Sequence, residues 1–73
     1  MSKNSKELKQ KRADYQKRVK EMEQIRAKLQ CAYSAFNSVT EPDIMDACIF
    51  EISALESRYN HAVVNIRNLG YKE

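Results

Sequence analysis

From Met45 to Leu69 the apolar residues recur at steps of three and four: Met45, Cys48, Ile52, Leu55, Tyr59, Ala62, Ile66 and Leu69. That spacing sets all eight on one seam of an α-helix. An earlier stretch repeats the pattern less cleanly through Leu8, Tyr15, Val19, Met22, Leu29, Tyr33 and Phe36. Arg12 and Arg26 occupy two of its seam positions, and Ile25, Ala32 and Val39 widen the stripe toward its end. Strand-like alternation is absent, and one Gly and one Pro leave little material for turns. The pattern predicts an all-α chain with one helix at about 5–37, a turn at 37–40 and a second helix at about 41–69.

Local chemistry marks the ends. Asn4 is placed to cap the first helix, with Glu7 three residues on as the capping-box carboxylate. Thr40 is the expected cap of the second. Pro42 suits the first turn, where its missing N–H leaves no bond unmade. Asp43 and Asp46 sit where the helix dipole favours negative charge. Gly70 is the natural left-handed residue after the last turn, with Tyr71 placed to fold back on Ile66. Glu7 with Lys11 and Asp14 with Arg18 are spaced for i,i+4 pairs, each worth about 0.2–0.5 kcal/mol.

A connection of about four residues makes the two helices antiparallel, a coiled-coil-like hairpin. Matching the seams predicts that facing residues have numbers adding to about 81. Phe36 then faces Met45, Tyr33 faces Cys48, Leu29 faces Ile52, Met22 faces Tyr59, Val19 faces Ala62 and Tyr15 faces Ile66. Arg26 falls opposite Leu55, with its guanidinium between Glu23 and Glu56. The hairpin occupies residues 12–73, and residues 1–11 form a basic N-terminal extension beyond it. Two helices bury only one stripe each, while Ile44, Ile49, Phe50, Val63 and Val64 lie off the seam. Ile49, Phe50 and Val64 stand beside the small Ser53 and Ser57, which let another helix approach. A homodimer of hairpins forming a four-helix bundle is the expected assembly.

Composition narrows the classes. Seventy-three residues make one domain at most. No apolar run approaches the roughly 20 residues that span a bilayer, and the charged N-terminal region lacks the apolar core of a secretory signal. A cytoplasmic protein is expected. Cys31 and Cys48 with the single His61 do not supply zinc spacing. They read as reduced thiols, Cys48 on the seam and Cys31 exposed. Charge is uneven along the chain. Residues 1–30 hold ten Lys/Arg against four acids, a net of +6, and residues 31–73 hold three against six, a net of −3.

The run Glu41-Pro42-Asp43-Ile44-Met45-Asp46, then Ile49-Phe50-Glu51-Ile52, Ala54, Glu56 and Arg58-Tyr59, resembles the core pattern of the YaaL-like family. Phe36 fits an aromatic which that family places just before the turn. The match covers about 25 of the 73 residues. His61 and Ala62 depart from it, standing where larger aromatic and aliphatic side chains are usual. The resemblance implies a short helical cytoplasmic protein of Gram-positive, often spore-forming, bacteria. It brings no known activity and no catalytic residues.

Enzymatic action is the least expected class, because a two-helix hairpin has no interior in which titratable groups converge. No catalytic residue, metal ligand, cofactor or small-molecule substrate is expected. Membrane-surface binding would need a second apolar face on residues 1–12, which is lacking. The leading expectation is a non-enzymatic interaction or adaptor protein, paired with its own copy or with another helical protein. Its candidate surface is Asp46, Ile49, Phe50, Glu51, Arg58 and Val64. The main alternative is nucleic-acid binding, with Lys3, Lys6, Lys9, Lys11, Arg12, Lys17, Arg18 and Lys20 as phosphate contacts. Against it, no aromatic is interleaved for base stacking, and Asp14, Glu21 and Glu23 interrupt the field.

Overall fold

The computed structural model describes residues 3–70 and is a helical hairpin. Helix α1 runs Lys3–Ser38 and helix α2 runs Pro42–Asn68, with no strand among the described residues. The molecule is a rod measuring 61 × 15 × 13 Å. At about 1.5 Å per residue the 36 residues of α1 are about 13 Å longer than the 27 of α2. From Lys6 to Ala13 every side chain of α1 is exposed. Leu8, expected on the seam, is 60% exposed for this reason: α2 ends before reaching it.

The ends follow local chemistry with two corrections. Asn4 lies inside α1 and therefore does not cap it. Helix α2 is entered through Glu41, not Thr40, in extended backbone with no side-chain cap, and Pro42 takes the first helical turn. The Glu41 carbonyl accepts the first helical bond from the Met45 N–H at 2.9 Å, and the Asp43 carboxylate accepts from the Ile44 N–H at 3.1 Å. Gly70 adopts φ +68 as expected and donates its N–H to the Arg67 carbonyl at 3.3 Å. Tyr71 lies outside the described residues. The expected i,i+4 ion pairs do not form. Asp14 accepts from Gln10 at 3.1 Å, and Arg18 reaches forward to Glu21 at 3.3 Å.

The buried cluster is Leu29, Ala32 and Leu55, with Ile25, Ile52 and Tyr59 packed against it. The seam of α1 thus passes through Ile25 and Ala32 where spacing alone favoured Arg26 and Tyr33. Arg26 is exposed, and its guanidinium does not bridge Glu23 and Glu56. A small rotation of α1 explains this. It turns the alanine and isoleucine inward and leaves in water a charge that would be costly to bury.

Across the two helices, Ile25, Glu21, Arg58 and Ala62 border one cleft, and Ala32 and Glu51 border another. Helical side chains lean toward the N-terminus of their own helix. In an antiparallel pair the two leans add, so long side chains reach partners beyond the residue level with their own backbone. Tyr33 shows this. It is 43% exposed, and its hydroxyl donates to the Glu56 carboxylate at 2.7 Å, eight positions past the Cys48 that seam-matching had placed opposite it. Cys48 is half-buried, Cys31 is exposed, and both are free thiols.

Accepting this bond and lying near it, the Glu56 carboxylate raises the Tyr33 phenol above its ordinary value of 10.0; the hydrogen bond is the larger cause and partial burial adds to it. A raised acid pKa means the fold prefers the protonated phenol. Its contribution to stability is complete below about pH 10 and disappears as the pH rises through the folded-state value. Tyr33→Phe should therefore lower the urea midpoint slightly at pH 7 and lessen its alkaline fall by the same amount. Glu56→Gln should return the Tyr33 titration, followed by NMR, toward the ordinary value.

Candidate interaction surface

Each residue of an α-helix turns the chain by about 100°. Taking Leu55 and Cys48 as the inward side of α2, the outward side carries Asp46, Ile49, Phe50, Ser53, Ser57 and Val64. The exposures agree. Phe50 is 74% exposed, and Ile49 and Val64 are nearly half exposed. Ala47, Ala54, Asn60 and His61 border the same face and are also exposed. Between Ala47 and Val64 this outward face holds no formally charged residue. It is a strip of small or apolar groups about 25 Å long at 1.5 Å per residue, with a phenyl ring standing in water.

The structure divides the six residues expected to form a partner surface. Asp46, Ile49, Phe50 and Val64 share the outward face. Glu51 and Arg58 are exposed but sit about a quarter-turn away on the flank beside α1. Glu51 borders a shallow cleft with Lys28, Cys31 and Ala32, and Arg58 borders another with Arg18, Glu21 and Ile25. Sequence reasoning missed His61 and Asn60 as members of the outward face. Their helical positions relative to Phe50 would have identified them.

The candidate phosphate contacts are less coherent. Lys6, Lys9, Lys11, Arg12, Lys17, Arg18 and Lys20 are all exposed, and the side chain of Lys3 lies outside the description. The helical turn spreads them around the whole circumference of α1. Lys6, Lys9, Lys17 and Lys20 share the outer side, whereas Lys11 and Arg18 point to the seam side. Arg18 is already engaged by Glu21.

Seen along the rod, charge segregates by end more than by helix. The half of α2 nearest the turn, residues 42–56, holds four acids and no base; residues 57–68 hold two bases and no acid. The adjoining parts of α1 follow suit: residues 3–26 hold nine Lys/Arg and four acids, and residues 27–38 hold only Lys28. With Glu41 in the turn, the open half carries +7 and the turn half −4. Taken whole, α1 is basic and α2 acidic, but the acidic half of α2 lies beside the nearly neutral end of α1.

Among the described residues no group of three or more His, Cys, Asp or Glu side chains is placed to hold a metal ion. No helix is long and apolar enough to cross a membrane. The clefts between the helices are open troughs. The residues lining them include one ion pair, Arg18 with Glu21, and one cross-helix hydrogen bond, Tyr33 with Glu56. Compared with family models, curated proteins and solved structures, the chain matches none.

Proposed function

We propose that this protein is a non-enzymatic, cytoplasmic interaction module that works by presenting the outward face of α2 to another helix. The observation that carries this reading is the exposure of Phe50, Ile49 and Val64 on one helical face that the hairpin itself does not use. Single exposed apolar residues are ordinary. Three on one face, spaced among serines and alanines, form the surface against which a second helix packs closely. The resemblance of α2 to the YaaL-like pattern supports the same reading, since Asp46 and Phe50 belong to its matched positions yet have no role inside the hairpin.

A second reading, nucleic-acid binding, is favoured by one observation: Lys6, Lys9, Lys11 and Arg12 are all exposed where α1 runs past α2. Replacing Phe50 with a photo-crosslinking benzophenone amino acid and irradiating host extract separates the two. The interaction reading expects a discrete protein adduct, a self-adduct included, that is absent when the label sits at Lys17 on the far side of α1. Failure to crosslink, together with micromolar nucleic-acid binding that falls steeply with salt and is indifferent to Phe50→Glu, would favour the second reading.

A further inference from the structure

Resting on the interaction reading, we infer that the helix received by the outward face of α2 is the same α2 of a second copy, running antiparallel about a two-fold axis. Two features of the rod select this occupant. The first is the polarity of the rod. A parallel neighbour would set the −4 end beside a −4 end and the +7 end beside a +7 end; an antiparallel one sets unlike ends together. Compensation of the helix dipole accounts for Asp43 and Arg67 in the first and last turns. It does not account for Glu51 and Arg58, because the dipole effect dies away within one turn. Two separated blocks of opposite sign on one helix are self-complementary only in the antiparallel sense.

The second feature is where the uncharged strip begins and ends. It runs from Ala47 to Val64, so its midpoint lies at residue 55 or 56. A two-fold axis there pairs residues whose numbers add to about 111. At that register the Phe50 ring of one copy meets Ser57, His61 and Val64 of the other, a hollow floored by a serine. Both copies make the same contact, as an isologous interface requires. Just past the strip, Asp46 reaches the level of Arg67 on the other copy, twice. The interface is closed and does not propagate into a filament.

Sedimentation equilibrium on the full chain under reducing conditions, from about 1 to 200 μM, tests the inference. The native chain should dimerise, more weakly as salt rises. Phe50→Glu should weaken association at least about 100-fold, because it places a carboxylate twice in the interface core. Its helical circular dichroism should stay unchanged. Asp46→Arg alone and Arg67→Asp alone should each weaken the dimer roughly three- to ten-fold. Asp46→Arg with Arg67→Asp should restore it to within about two-fold, a rescue that only an antiparallel pairing permits. A monomer throughout the range, a dimer that survives Phe50→Glu, or a double reversal no better than the single ones would overturn the inference. If the inference falls but benzophenone at position 50 still captures a different protein, the interaction reading stands with another partner. If position 50 captures nothing, both fall.

Discussion

Leu55→Ala is expected to lower the stability of the hairpin by about 2–5 kcal/mol. Leu55 is 5% exposed and forms, with Leu29 and Ala32, the buried cluster among the described residues. Removing it deletes apolar contact and leaves a cavity that two stiff helices close only in part. A chain of this length has a total stability of roughly 4–11 kcal/mol if it follows ordinary domains, and a single thin core places it toward the lower end. The substitution should therefore move the urea midpoint by more than any other single truncation to alanine. Leu8→Ala is the control. At 60% exposed and beyond the reach of α2, Leu8 should shift the midpoint by no more than a few tenths of a kcal/mol. Equal effects at the two sites would mean that the helices do not pack where described.

Ala32→Glu should be more damaging still. Ala32 is 6% exposed and belongs to the buried cluster with Leu29 and Leu55, and Lys28, one turn back, is the basic side chain that borders the same cleft. A carboxylate there loses its hydration at a cost of several kcal/mol, or drives the helices apart to reach water and Lys28. Most of the helical signal at 25 °C should be lost, or should be recovered only at acid pH where the carboxyl is neutral. Tyr33→Phe, one residue along, should leave the helical signal at pH 7 intact. The contrast discriminates sharply, because spacing alone puts Tyr33 on the seam and Ala32 only at the edge of the stripe.

That contrast shows what was legible in the sequence and what was not. The seam of α2 is unbroken, and its members from Met45 to Leu69 are all half-buried or buried, as periodicity requires. The antiparallel hairpin follows from the shortness of the connection, Val39–Glu41. Helix α1 was harder because a step of three or four leaves two neighbours competing for each seam position. Arg26 against Ile25, and Tyr33 against Ala32, are decided by desolvation and by how closely the backbones approach, which a list of positions does not contain. Tyr33 reaches Glu56 and not Cys48 because facing positions were matched at the level of the backbone, whereas long side chains meet along their lean. Thr40 was taken for the cap because its hydroxyl is a good acceptor. The chain instead enters α2 one residue later, directly before the proline.

The candidate surface was partly legible. Ile49, Phe50 and Val64 were identifiable as apolar residues left off the seam, and all three are exposed. Glu51 and Arg58 were grouped with them through a shared motif. In the fold they face the flank, since they stand one position past Phe50 and one past Ser57, about 100° around the helix. The segregation of charge by end escaped a count made by sequence half. Folding back brings the acidic start of α2 beside the nearly neutral end of α1, and the basic end of α2 beside a basic stretch.

The claim on which the rest depends is that the apolar seam is consumed inside the hairpin while the opposite side of α2 stays free of α1. Nuclear Overhauser contacts from the isotope-labelled chain test both halves of that claim at once. The account predicts contacts from the Leu55 methyls to Leu29 and Ala32, and none from the Phe50 ring to any residue of α1. Contacts between Phe50 and α1, or Leu55 methyls that meet no residue of α1, would contradict it.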